Sequence, residues 1–139
     1  MNNEDFVTHE QAVRLKELGF DWWVNHYYEN NELCEGFVDE DEDPDLNSDY
    51  PTAYGNYNFG RNSFSAPTLS QVQNWFLEKK KIFIEIYAGD YLNSFGYELK
   101  FDWVDNHRYC CQGYRTLRET LSAGIDAAIK YVENYDKEK

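Results

Sequence analysis

Between Glu17 and Gly60 the sequence has no lysine and no arginine, although the whole chain of 139 residues contains 13 of them. Of its 26 acidic residues, 12 lie in that stretch, and the remaining 14 nearly balance all 13 basic ones. The net charge of -13 therefore belongs almost wholly to one segment. A pI near 4.5 repels polyanions at long range, so direct nucleic-acid binding is not expected. Cysteine is scarce too. Cys34, Cys110 and Cys111 are odd in number and two are adjacent, which is no basis for a disulfide framework and fits free thiols in a reducing, cytoplasmic setting. No apolar run approaches the ~20 residues that cross a bilayer. The opening Met1-Asn2-Asn3-Glu4-Asp5 lacks the basic start and apolar stretch of a secretory signal, and no membrane contact is expected. Also missing are a Gly-x-Ser-x-Gly elbow, a phosphate-binding glycine loop and a His-Glu-x-x-His pair. Nothing nominates a catalytic residue or a cofactor, and the expectation is a protein that is not an enzyme.

Apolar material is plentiful. Hydrophobic residues make up 42% and aromatics 18%, too much for a disordered chain despite its charge. A chain of this length buries roughly two-thirds of its unfolded surface without metal or disulfide staples, so residues 1–139 are expected to form a single α+β domain. Thr8-His9-Glu10-Gln11, Thr68-Leu69-Ser70-Gln71 and Thr116-Leu117-Arg118-Glu119 share the capping-box pattern Thr-x-x-Gln/Glu, in which cap and third helical residue satisfy each other's amides. The first helix is expected over about Glu10 to Leu18, with Ala12, Leu15 and Leu18 inward and Gly19 ending it. The second follows Pro67, buries Leu69, Val72 and Phe76, and ends in Lys79-Lys80-Lys81 at the negative end of its dipole. The third turns Leu117, Leu121, Gly124, Ile125, Ala128 and Val132 inward.

Elsewhere the period falls to two. Tyr97, Leu99, Phe101 and Trp103 alternate with Glu98, Lys100 and Asp102, the pattern of a strand with one wet face. Ile82 to Ala88 is apolar on both faces and reads as more central. A hairpin connection over 90–94 joins these two, and His107 to Tyr114 supplies a third strand. Trp22 to Tyr28 and Leu33 to Val38 form another hairpin about Asn30-Asn31, asparagine being suited to positive φ. The expected order is α-β-β-(long loop)-α-β-β-β-α, a mainly antiparallel sheet with three helices. The loop, at about 39–66, is acidic and then rich in Tyr, Asn and Gly, and a loop of such length is a first place to look for binding.

Within it, Asp39, Asp41, Asp43 and Asp45 partly match a calcium loop. Pro44 stands where glycine makes the turn, and Tyr50 where a bidentate Glu closes the shell, which favours a solvated acidic loop. His107, Cys110, Cys111, Cys34, His26 and His9 include zinc-ligand types, but adjacent cysteines on a strand point to opposite faces. The same residues give a Cys–His nucleophile pair no local signature. Lys79-Lys80-Lys81 and Arg108, Arg115 and Arg118 read as a helix terminus and turn flanks rather than a phosphate site. Tyr54, Tyr57 and Phe59 either form an exposed recognition surface or fold back over the open face of the sheet, and the need for cover favours the second.

Gln11 to Asp21, Ser65 to Ile86 and Thr116 to Val132, about a third of the chain, resemble a loose family of short uncharacterised proteins of gut anaerobic bacteria and their phages or mobile elements. The resemblance implies an accessory gene of a mobile element and carries no activity, cofactor or catalytic residue. The resulting expectation is a protein-interaction role. Asp39, Glu40, Asp41, Glu42, Asp43, Asp45, Asp49, Tyr54 and Tyr57 would engage a basic partner surface, in the sharpest form by mimicking nucleic-acid charge against a host or defence protein. The alternative is an ion- or small-molecule-binding module using the same loop. Exposed sheet edges leave a homodimer open.

Overall fold

Two Thr-x-x-Gln sequences start two helices by the same exchange of hydrogen bonds. Thr8 Oγ accepts from the Gln11 amide at 3.1 Å while the Thr8 amide donates to Gln11 Oε1 at 2.9 Å, and Thr68 and Gln71 repeat the pattern at 3.2 and 3.0 Å. The computed structural model describes residues 5–36, 55–59, 62–88, 94–101, 104–109 and 113–137. The fold is α+β, with elements in the order α1 (His9–Glu17), β1 (His26–Glu29), β2 (Glu32–Glu35), β3 (Ser63–Ser65), α2 (Leu69–Trp75), β4 (Ile82–Ala88), β5 (Phe95–Phe101), β6 (Val104–Tyr109) and α3 (Leu117–Lys137). The chain divides into two compact units, Met1–Asp5 with Thr68–Lys139 and Phe6–Pro67.

In the Phe6–Pro67 unit, α1 stops where the Phe20 amide bonds the Leu15 carbonyl and the Gly19 amide bonds the Lys16 carbonyl. This Schellman arrangement needs the left-handed φ of +93° at Gly19. Phe20 and Leu15 are both buried, so the terminus is also an apolar contact. Asn30 and Asn31 sit at φ 54° and 66°, the two positive values of a type I′ hairpin turn. They join β1 to β2, and β3 pairs antiparallel on the other side of β1 to give the order β2-β1-β3. Val7, Ala12, Leu15, Phe20, Val24, Tyr28 and Ala66 form this unit's core. The Tyr28 hydroxyl, unable to reach water there, donates to the Val7 carbonyl at 2.7 Å.

In the other unit, β4, β5 and β6 form an antiparallel sheet with β5 central. Tyr97, Leu99 and Phe101 of β5, with Ile82 and Ile84 of β4, are buried with Ile125, Ala128, Ile129 and Val132 of α3. A methyl group at Gly124 would lie 2.6 Å from Ile84 Cγ2 and 3.3 Å from the Tyr97 ring, so glycine is what lets α3 approach the sheet so closely. On the opposite face, the Tyr87 ring covers its cross-strand partner Gly96, and Lys100 pairs with Glu85 at 2.6 Å. α2 runs on into a π-helical turn, Phe76–Lys80, which Lys81 ends at φ 59°. Thr116 Oγ caps α3 by accepting from the Glu119 amide at 3.0 Å.

Several expectations need correction. The strands fall into two three-stranded sheets, and an additional strand, β3, lies inside the expected loop because Ser63–Ser65 pair with Tyr27–Glu29. β4 is an edge strand rather than a central one. Its apolar residues on both faces reflect core contact on one side and Phe83, 37% exposed, on the other. Strand β1 begins at His26 and not Trp22, since Val24 pairs with Gly55 rather than with β2. Leu117 is 59% exposed, because the first turn of α3 turns it to solvent. Trp103, Phe37, Val38, Cys110, Cys111 and the 90–93 connection lie outside the described residues. Among the described residues no helix is long and apolar enough to cross a membrane.

The close approach at Gly124 yields a direct test. Gly124→Ala should destabilise the chain by about 1–3 kcal/mol through overpacking, read by urea denaturation. Combined with Ile84→Ala, its cost should be less than additive, since the second change removes the atom the new methyl meets.

Candidate functional site

The acidic segment springs from a defined base. The Gly36 amide donates to the Asn25 carbonyl at 2.8 Å, while Val24 and Gly55 exchange both backbone bonds, at 2.8 and 3.0 Å. The chain thus leaves at Gly36 and returns at Gly55 against two consecutive residues. Asp39, Glu40, Asp41, Glu42, Asp43, Asp45, Asp49 and Tyr54, including the calcium candidates, lie outside the described residues. Of the expected site residues the structure places Tyr57.

Tyr57 begins a 3-10 turn, Tyr57–Phe59, and its ring stacks on Tyr27 of β1 at 4.7 Å between centroids. A polar clasp holds it there. The Tyr57 amide donates to Ser65 Oγ at 2.9 Å, Ser63 Oγ donates to the Tyr57 carbonyl at 2.7 Å, and the Ser65 amide donates to Asn58 Oδ1 at 2.7 Å. Asn58 Nδ2 reaches the Phe20 carbonyl at 2.8 Å. On the outer edge of β3 the Ser65 amide is thus taken by Asn58, and the Ser63 carbonyl accepts from Lys16 Nζ at 3.1 Å. Burial pushes the phenols of both Tyr27 and Tyr57 above their ordinary value of 10.0, and neighbouring ionisable groups add to it: Cys34 and Glu29 at Tyr27, and Tyr27 itself at Tyr57.

One residue from the base stands His26. Its ring lies 4.5 Å from that of Phe6, and its register partner on β2 is Glu35. His26 Nε2 and Asn25 Oδ1 are both buried with no hydrogen-bond partner among the described residues. Burial pulls the His26 imidazole below its ordinary 6.5, with the Glu35 carboxylate pulling weakly the other way. His26 is thus a core-facing histidine whose neutral form burial favours.

At the other end of the hairpin, Glu29 and Glu32 are direct cross-strand partners flanking the Asn30-Asn31 turn. Both are exposed. Like charges directly opposite each other are unfavourable, and no described lysine or arginine forms an ion pair with Glu29, Glu32 or Glu35. Sequence reasoning overlooked this pair, although a two-residue turn at Asn30-Asn31 places residue 29 opposite residue 32. Cys34 is half-buried opposite Tyr27 and its thiol makes a long contact, 3.5 Å, with the Glu32 carbonyl. His9 packs edge-on against Tyr28 and Phe64. Among the described residues no three His, Cys, Asp or Glu side chains converge as a metal site would need. No protein-family model, curated protein or solved structure matches the chain.

A pH dependence follows from His26. With its folded-state value below 6.5, the unfolded chain takes up the proton first as the pH falls, so stability drops on acidification below 6.5. Melting temperature should therefore fall less steeply between pH 7 and pH 5 in His26→Phe than in the wild type. An equal slope in the two would assign the drop to carboxylates instead.

Proposed function

We propose that the protein is a non-enzymatic interaction protein that engages a basic partner surface through charge. The observation that carries this reading is the stretch from Glu17 to Gly60, with 12 acidic residues and no basic one, beside a nearly neutral remainder. Its attachment supports the reading. Asp39, Glu40, Asp41, Glu42, Asp43, Asp45 and Asp49 all belong to the span between Gly36 and Gly55, whose ends are bonded to adjacent residues. Seven of the 12 carboxylates thus belong to one stretch of sequence whose two ends are fixed close together. A field of this kind accelerates encounter with cationic surfaces and discriminates against anionic ones.

In its sharper form, the segment stands in for phosphate charge and occupies a nucleic-acid-binding protein, of the host or of a defence system. The resemblance of Ser65 to Ile86 and the two flanking stretches to proteins of phages and mobile elements agrees with such an accessory role. Tyr54 and Tyr57 adjoin the acidic residues in sequence and would supply contact area at low entropic cost.

The test is capture from bacterial lysate by the native chain and by a variant carrying Asn or Gln at Asp39, Glu40, Asp41, Glu42, Asp43 and Asp45. The native chain should retain a basic or nucleic-acid-handling protein that the variant loses, and ~1 M salt, where the Debye length falls to ~3 Å, should release it. Retention of the same proteins by both forms, or retention unaffected by salt, would overturn the reading.

A further inference from the structure

We propose that the outer edge of β2 takes an extended, arginine- or lysine-bearing segment of a partner protein as a fourth strand of the β2-β1-β3 sheet. The inference rests on the charge-led reading above and names a surface through which it would act.

The phase of the hairpin decides which backbone groups are on offer. The Gly36–Asn25 hydrogen bond, with the register of His26–Glu29 against Glu32–Glu35, makes Asn25/Gly36, Tyr27/Cys34 and Glu29/Glu32 the hydrogen-bonded pairs. The intervening residues of β1 and β2 then point their amides and carbonyls away from each other. On β1 the His26 carbonyl accepts from the Ala66 amide at 2.9 Å, as this phase requires. On β2 the amides and carbonyls of Leu33 and Glu35 face outward, and no described strand pairs with them.

Two other edge strands, β3 and β4, are treated differently. Asn58 Oδ1 takes the Ser65 amide on β3, and Gln73 Nε2 donates to the Ile84 carbonyl on the edge strand β4 at 2.6 Å. β2 has no such side-chain cover among the described residues. What guards it is charge, since Glu32 and Glu35 are both exposed.

That charge selects the occupant. Two copies pairing antiparallel through β2 would bring the Glu32 and Glu35 carboxylates of both together along one seam, which like-charge repulsion opposes. A strand with basic residues at both positions meets the reverse situation. One cation would lie beside Glu32, on the face that also carries Glu29 and the stacked Tyr27 and Tyr57 rings. The other would lie on the opposite face beside Glu35. Main-chain bonds supply affinity in this mode and the side chains supply choice.

The experiment uses the full chain, labelled with nitrogen-15, and a short synthetic peptide in which two arginines are separated by two valines. Addition of the peptide should shift the Leu33 and Glu35 amide resonances. Glu32→Gln and Glu35→Gln should each weaken binding about threefold, the size of an exposed ion pair. Methylating the peptide's edge-facing amide nitrogens should abolish it. Glu32→Gln should also raise the melting temperature of the free chain by relieving its repulsion with Glu29, a gain that a misfolded variant would not show. Binding that ignores N-methylation and both glutamines, yet is lost on neutralising Asp39, Glu40, Asp41, Glu42, Asp43 and Asp45, overturns the docking edge and leaves the charge-led reading standing. Absence of binding to any form of the chain overturns both.

Discussion

The Phe6–Pro67 unit is organised by two asparagines whose backbones both adopt positive φ. That conformation, the type I′ turn, reverses the chain in two residues with a twist that suits the strands on either side. Once Asn30 and Asn31 are set, the pairing of β1 with β2 follows residue by residue. So does the alternation of their faces: His26 and Tyr28 turn toward Phe6 and α1, and Tyr27 toward Tyr57. A slip of one position would carry Tyr28 and its hydrogen bond to Val7 out of the core and put Glu29 in its place. The register also determines where the segment between Gly36 and Gly55 is attached.

Much of this architecture was legible in the sequence. Thr8 and Thr68, each followed by glutamine three positions on, announced two helix starts, and Gly19 announced a stop, because these features are local and have little alternative use. Ile82 to Ala88 and the alternation at Tyr97, Leu99 and Phe101 gave strands for the same reason. Assignment of strands to sheets was not legible. Whether Val24 pairs with Leu33's strand or with Gly55 depends on contacts between residues far apart in sequence, and Ser63–Ser65 is too short and too polar to carry a period. Nor does β4 reveal itself as an edge, since apolar residues on both faces can equally mean one buried face and one that leaves Phe83 exposed.

The candidate surface was legible only as composition. A run of carboxylates without a single cation is visible at once, whereas the opposition of Glu29 and Glu32, the isolated Nε2 of His26 and the clasp of Ser63, Ser65 and Asn58 on Tyr57 all require coordinates. The two tyrosines illustrate the difference. Tyr57 stands out in sequence by its place in a Tyr- and Asn-rich stretch, yet its setting depends on Tyr27, thirty residues earlier and marked by no local pattern.

The double closure at Val24 and Asn25 separates the length of the acidic segment from the stability of the unit that bears it. Because Gly36 and Gly55 are bonded to adjacent residues, whatever joins them need only span a fixed short gap, and the entropy of closing such a gap grows by only about 0.6 kcal/mol for each doubling of length. The position therefore behaves as a socket. Segments of different length or charge can be exchanged there while the hairpin, the tyrosine stack and α1 keep their places.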